Sequence, residues 1–384
     1  MPSKPSKRPR NPNFSCGPCT KRPGWTPDVL SAALVGRSHR APEAKARLKR
    51  AIDKTKVILK LPADYRVAIV PGSDTGAFEM ALWTMLGARG VDVLAWEDFG
   101  KRWVVDVVEQ LKLTDARVLQ ADYGLLPDLG AVDFDRDVVF TWNGTSSGVR
   151  VPDGDWIAPD RRGLTFTDAT SAVFAQAIDW AKIDVATFSW QKVVGGEAAH
   201  GMLVLSPRAV ERLEGYTPSW PLPKLFRLTK GARLMREVFE GITINTPSML
   251  CVEDYLDALE WVEGIGGLAA TRARADANAA VLFDWLARTP WVGNLAADPA
   301  TRSNTSVCLR FADPALASPE TGARVGGKIA ALLDAEGVAR DIGAYPTAPP
   351  GLRIWCGATV EARDLERLVP WLDWAYAETR AALT

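Results

Sequence analysis

Between residues 66 and 205 the chain repeats one arrangement: a short apolar run, a cluster of small or charged residues, then a stretch with helical spacing of apolar side chains. "RVAIV" (66–70) runs into "PGSDTG" and "AFEMALWTMLG", "VDVLAW" (91–96) into "EDFGKRW", and "DVVFTW" (137–142) into "NGTSSG". "GLTFT" (163–167) leads to "DATS", and "IDVATFSW" (183–190) to "QKVVGGEAAHG", with "MLVLS" (202–206) behind it. Runs that are apolar throughout read as strands buried on both faces, and strands alternating with helices build a mostly parallel sheet with a helix layer on each side. Ligands bind such sheets beyond the carboxyl ends of the strands. The residues that follow the runs, Ser73, Asp74, Thr75, Trp103, Asn143, Thr145, Asp168, Gln191 and Lys192, are therefore predicted to gather around one crevice.

What this crevice could attract is narrowed by charge. Lys plus Arg and Asp plus Glu each number 46, so no global field draws in nucleic acid or an anionic membrane, and an anion must be caught locally. No apolar run approaches the ~18 residues of a membrane span, and the N-terminus lacks the apolar core of a secretory signal, so the cytoplasm is the expected location. At 384 residues the chain is long enough for two domains.

Each candidate residue has its own chemistry. The strand–"GSDTG"–helix unit offers free N–H groups and hydroxyls at a helix N-terminus, which suits a phosphate, but it lacks the Lys-Ser/Thr ending of a nucleotide P-loop and the spacing of a dinucleotide fingerprint. Lys192 follows an apolar strand, where an ammonium would be desolvated unless it lost its proton or became covalently engaged. The Gly195-Gly196 pair lets backbone approach a planar group. An acid (Asp168), a lysine, an aromatic plate and a phosphate cup on successive strand ends together suit pyridoxal 5′-phosphate (PLP), with the acid pairing to the pyridinium nitrogen and the lysine forming the Schiff base. No metal site is expected.

The stretch Cys16-Gly17-Pro18-Cys19 spells a dithiol redox motif. Such a site needs a helix starting at the first cysteine to lower its thiol pKa, and Pro23, Gly24 and Pro27 forbid that helix. The five cysteines are an odd, scattered count, so they read as reduced thiols and CGPC as a Gly-Pro loop.

In order and spacing, "NFSCGPC", "SHRAPEAK", "GSDTGAFEMALWTMLG", "FGKRW", "WNGTSSG", "TFTDATSA", "SWQKVVGGEAAHG", "INTPSM" and "GLRIWCGATVE" resemble the motifs of the phosphoserine aminotransferases, class V members of the fold-type I PLP enzymes. The likeness runs from about Asn13 to the last helix. It implies an α/β fold: a large PLP-binding domain (25–250) with a mostly parallel seven-stranded sheet, a smaller C-terminal α/β domain (251–384), an N-terminal substrate-side loop (13–24) and a disordered basic tail (1–12). It implies amino transfer between glutamate and 3-phosphohydroxypyruvate to give O-phosphoserine and 2-oxoglutarate, in serine biosynthesis, and leaves open a side activity on the phosphorylated four-carbon keto acid of vitamin B6 synthesis.

Residue by residue, the resemblance makes Lys192 the Schiff-base lysine and Asp168 the partner of the ring nitrogen. Trp103 would stack on the ring, Thr145 and Gln191 would lie near its phenolic oxygen, and Asp74 and Thr75 would hold the phosphate, chiefly through backbone amides. Asn245 and Thr246 would reach that phosphate from the second subunit of a homodimer. Arg353 would bind the substrate α-carboxylate, and His39 with Arg40 the substrate phosphate or the distal carboxylate of glutamate. "GSDTG" replaces the more glycine-rich cup common in the family, and the basic tail is extra. Rival readings are another class V enzyme, such as a serine– or alanine–glyoxylate aminotransferase or a cysteine desulfurase, and a catalytically silent nucleic-acid-binding protein using the tail. His200 reads as structural, and "SVCLRF", "VARDI" and "GLRIW" of the C-terminal part read as strands.

Overall fold

The computed structural model describes residues 2–382. Seven strands form the main sheet: β1 (Arg66–Pro71), β2 (Val91–Ala95), β3 (Ala116–Gln120), β4 (Asp137–Thr141), β5 (Thr165–Asp168), β6 (Val185–Ser189) and β7 (His200–Leu205). Their spatial order is β1-β7-β6-β5-β4-β2-β3. β2, β3, β4, β5 and β6 run parallel, and β7 is antiparallel to both of its neighbours. The helices are α1 (Pro42–Ile58), α2 (Ser73–Met85), α3 (Asp98–Val105), α4 (Pro207–Gly215), α5 (Met249–Gly264), α6 (Gly267–Leu286), α7 (Pro319–Ala335) and α8 (Ala362–Ala381).

The continuous apolar runs are explained by burial on both faces. Along β1, Val67 and Ile69 enter the core that includes Leu48 and Ile52 of α1, whereas Ala68 and Val70 enter a second core with Phe78 of α2, Trp103 of α3 and Leu213 of α4. Phe140 and Phe188 are fully buried on the first face and Phe166 on the second, and truncating any of them to alanine costs about 3–5 kcal/mol. β3 was not foreseen. Its sequence "ARVLQ" is half exposed at the sheet edge, with Arg117 reaching the buried Asp92 carboxylate, so it carries none of the apolar signal of the central strands.

A second sheet of three antiparallel strands joins β8 (Val292–Asn294), β9 (Ser306–Phe311) and β10 (Gly351–Trp355). "SVCLRF" and "GLRIW" are strands as expected. "VARDI" is not: Val338, Ala339 and Ile342 are buried, but the segment makes only isolated bridges, Arg340 taking its backbone bond to Pro12 and Gly343 facing Leu352. The N-terminal segment fills the place of a strand beside it.

The N-terminal residues differ from the disordered tail that their charge suggested. Trp371 Nε1 donates to the Lys7 carbonyl at 2.8 Å, the Arg10 and Asn11 N–H groups donate to the Asp364 carboxylate at 2.6 and 3.2 Å, and Lys4 and Arg8 both pair with Glu336. Lys4 also lies 5.2 Å from the Trp374 ring. Two tryptophans and two acids on α7, α8 and their flanks thus give the basic residues partners that composition alone could not reveal. From there the chain continues past Phe14, whose carbonyl accepts the Trp355 N–H, to the carboxyl end of the main sheet.

Candidate active site

The carboxyl ends of β1, β4, β5 and β6 carry the candidate residues. After β1, Gly72 and Ser73 both adopt positive φ (83° and 54°) and turn the chain into α2, and a Cβ on Gly76 would overlap the Pro71 carbonyl. α2 therefore starts hard against its strand, and its N-terminus has no side-chain cap. Its first-turn N–H groups remain available to an anion. Thr75 is exposed beside them, and the Asp74 carboxyl turns inward, 7% exposed.

Asp168 is the last residue of β5 and is buried, its Oδ1 accepting the Thr170 N–H at 3.0 Å. Lys192 follows β6 shortly past its end and is also buried. Its ammonium donates to the Cys16 carbonyl, and Gly17 (φ 146°) has no Cβ because one would collide with the same amine. Cys19 N–H donates to the Gln191 carbonyl at 2.8 Å, so the Cys16–Cys19 loop closes over the lysine. The loop is not a helix start, and burial pushes the Cys19 thiol well up, against the opposing pull of Lys192. That is the reverse of a redox dithiol, whose nucleophilic cysteine is lowered.

Thr145 is buried, its hydroxyl donating to Ser171 Oγ at 2.8 Å, and Asn143 Nδ2 meets the same oxygen. Gln191 Oε1 accepts from Ser189 Oγ at 2.5 Å. Arg353, on β10, lies 5.2 Å from the Tyr345 ring. It has no carboxylate partner among the described residues, and its buried Nε has no hydrogen bond. Around it are the thiols of Cys16, Cys19 and Cys308, and burial raises Cys308 to about 12.

Trp103 is withdrawn into the protein. It is 3% exposed and packs on Phe78 of α2 with ring centroids 4.6 Å apart, inside the second apolar core. One turn earlier, at the start of α3, Phe99 is half buried and faces Tyr345 at 5.7 Å, next to Arg353. Both aromatics fall on one helical face of "FGKRW", at i and i+4, and spacing alone does not say which of them lies at the exposed end. Phe99 and Tyr345 were not singled out from the sequence. Glu97 holds α3 in place, accepting from Gly100 N at 2.8 Å and Ser146 Oγ at 2.6 Å, and burial raises its pKa.

His39 and Arg40 sit on the loop before α1, Arg40 exposed, and Asn245 and Thr246 precede α5, with Asn245 Nδ2 bonded to the Thr246 carbonyl. A single chain brings none of these four side chains into hydrogen-bonding contact with Lys192, Asp168 or Arg353 among the described residues. His200 is structural, as expected: its Nε2 accepts the Ser248 N–H at 3.0 Å, and burial lowers its pKa, keeping it neutral.

The residues present fit a phosphorylated pyridine. An uncapped helix N-terminus suits its phosphate, a buried carboxylate its ring nitrogen, and a buried lysine its carbonyl carbon. Asp74 Oδ1 and the Thr170 and Thr187 hydroxyls beside Asp168 are buried without partners. Sheet order, strand-end acid and strand-end lysine define a fold-type I PLP-dependent aminotransferase.

Comparison with known proteins narrows the class. No family model matches the chain. It is 57% identical over 373 residues to a phosphoserine aminotransferase of Methanosarcina mazei, covering 97% of this chain and 99% of that one. Its fold is similar to that of the phosphoserine aminotransferase of Cytophaga hutchinsonii (TM-score 0.81, 21% identity, 95% and 99% of the two chains). An alanine–glyoxylate aminotransferase of a Nostoc species superposes almost as well (0.77, 18%, 98% and 97%), so the fold does not separate the class V activities. The sequence does: the chain belongs to the phosphoserine aminotransferase family.

Proposed function

We propose that the crevice transfers an amino group between glutamate and 3-phosphohydroxypyruvate, yielding O-phosphoserine and 2-oxoglutarate, with PLP as cofactor. One observation carries the geometric side of this reading. The Cys16 carbonyl accepts from the buried Lys192 amine, and Cys16 lies near the half-buried Arg353, whose buried Nε has no partner and which lacks a carboxylate; such a pair suits an α-amino acid at a cofactor carbonyl. The α2 N-terminus and Thr75 would hold the cofactor phosphate, Asp168 its ring nitrogen, and Thr145 and Gln191 the side of its phenolic oxygen. We assign the aromatic plate to Phe99 rather than Trp103. Bound there, the cofactor supplies an electron sink for the substrate α-carbon.

The chain's own residues do the rest. Lys192 takes the α-proton on its Nζ and returns it on the carbon at the other side of the substrate nitrogen. Arg353 orients the α-carboxylate by a bidentate contact common to both substrates. The Cys16–Cys19 loop excludes water above the amine. His39 and Arg40 would meet the distal anion, which is phosphate in one substrate and carboxylate in the other. Asn245 and Thr246 would serve the site of a second copy, making the enzyme a homodimer. Large and small domains at 25–250 and 251–384, a cytoplasmic location and a secondary role in vitamin B6 synthesis complete the reading. No helix among the described residues is long and apolar enough to cross a membrane.

The test is a substrate panel. With 2-oxoglutarate as acceptor, kcat/KM for O-phosphoserine is expected to exceed that for serine or alanine by about 10³ or more, the effect of an anion met by a built cationic site. Equal values for serine or alanine would move the chain to another class V activity.

A further inference from the structure

Behind the crevice, the turn after β5 carries two buried polar side chains that the proposed reaction does not use, Ser171 (2% exposed) and Gln176 (5% exposed). Both stand in one row of hydrogen bonds that starts at α6 and ends at Thr145. Asn304, just before β9, donates through Nδ2 to the Asp276 carboxylate of α6 at 2.7 Å and to the Ala175 carbonyl at 2.9 Å. Gln176 Nε2 donates to Asn304 Oδ1 at 3.0 Å and to Asn143 Oδ1 at 2.9 Å. Asn143 Nδ2 and Thr145 Oγ1 each donate to Ser171 Oγ at 2.8 Å, and Ser171 Oγ donates to the Asn143 carbonyl at 3.0 Å.

The direction of every bond follows from the α6 end. An ionised carboxylate and a carbonyl only accept, so both Nδ2 protons of Asn304 are engaged and its Oδ1 faces Gln176. Gln176 must therefore present Nε2, whose two protons are both used, while its Oε1 is buried without a partner. Asn143 in turn meets Gln176 with Oδ1 and Ser171 with Nδ2. Ser171 Oγ has one proton and two lone pairs, all of them engaged, which commits the Thr145 proton to Ser171 and fixes the Thr145 rotamer. The backbone is held from the same side. Ser306 Oγ of β9 donates to the Thr145 carbonyl at 2.5 Å, and Thr305 Oγ1 to the Ser171 carbonyl at 2.8 Å. β9 pairs with β10 so that Cys308 stands opposite Arg353, and the row fastens Thr145 to the strand pair that carries this arginine.

We propose that Gln176 is a positioning residue: by bridging Asn304 and Asn143 it holds, through Ser171, the Thr145 hydroxyl in a single orientation at the crevice. The proposal rests on the reading of Thr145 as a contact on the phenolic-oxygen side of the cofactor. Without the Gln176 donors the Asn143 and Asn304 oxygens are left unpaired, Asn143 is free to turn, and Ser171 loses the contact that directs Thr145. A hydroxyl already held in place is not ordered again when the cofactor enters, whereas a loosened one is, at the expense of affinity.

The test measures PLP affinity, and the pH at which the visible band of the PLP-loaded protein changes, in Gln176→Met, Thr145→Val and the double variant. Each single substitution is expected to weaken PLP about tenfold and to move the pH of the band change. Because Gln176 acts through Thr145, the double variant is expected to match Thr145→Val alone. Losses that multiply in the double variant would show that Gln176 only supports the fold, and would overturn the proposal. So would parent affinity and an unmoved band in Gln176→Met when Thr145→Val is impaired. If Gln176→Met does not fold, Gln176→Glu keeps the shape and, ionised, has no proton for either asparagine; the same two comparisons then apply. Thr145→Val separates the underlying reading: parent affinity and an unmoved band in that variant would take Thr145 out of the cofactor site, and the proposal with it.

Discussion

At the scale of single residues, the account depends on where a side chain ends rather than on which element carries it. The buried places of Lys192 and Asp168 at strand ends were legible in apolar runs that stop at a charged group, which is costly to desolvate unless it engages a partner or a ligand. Phe99 was not, because "FGKRW" offers two aromatics on one helical face and only the packing of Trp103 onto Phe78 shows which is withdrawn. The two positions are therefore expected to respond differently. Trp103→Ala should destabilise the protein by about 3–5 kcal/mol, seen in denaturant unfolding, while Phe99→Ala leaves stability nearly intact and weakens PLP binding. The reverse pattern would return the plate to Trp103. Lys192→Ala should abolish turnover with an unchanged circular dichroism spectrum. Arg353→Lys should lower kcat/KM by about 10–10²-fold, since a lysine loses the planar bidentate fork.

Elements whose sequences are partly polar were read less well than apolar ones. β3 escaped because an edge strand needs only one covered face, and "VARDI" was mistaken for a strand because buried apolar residues do not by themselves supply a ladder partner. The N-terminal segment shows the opposite error: its prolines and basic residues read as disorder, yet Trp371, Trp374, Glu336 and Asp364 lie far along the chain and provide its contacts. Deleting residues 2–9 should lower Tm and, because the same segment leads to the loop over Lys192, raise KM; an unaltered Tm would mean that the docking contributes nothing. α3 ends in a π-helical turn at Asp106–Gln110, where burial, with Glu79 adding to it, raises Asp106 to about 6. A raised acid stabilises the fold below its unfolded value near pH 4 and loses that contribution as pH climbs through about 6. Asp106→Asn should thus match the parent in Tm at acid pH and exceed it above neutrality.

For the whole molecule, the mostly parallel sheet followed from six apolar runs, and the polar residues behind them point to one crevice; the proposed contribution of a second chain cannot be located by reading one. His39, Arg40, Asn245 and Thr246 were named by resemblance, and one chain leaves them away from the lysine. Mixing inactive Lys192→Ala and Asn245→Ala chains under exchange should restore about a quarter of the parent activity, since half of the random dimers would hold one intact site of two. The most direct test of the central claim is the visible absorption of the PLP-loaded protein titrated with O-phosphoserine and, in parallel, with serine. The account predicts that phosphoserine changes the cofactor band at far lower concentration than serine does. An equal response to both amino acids, or a band that neither alters, would contradict it.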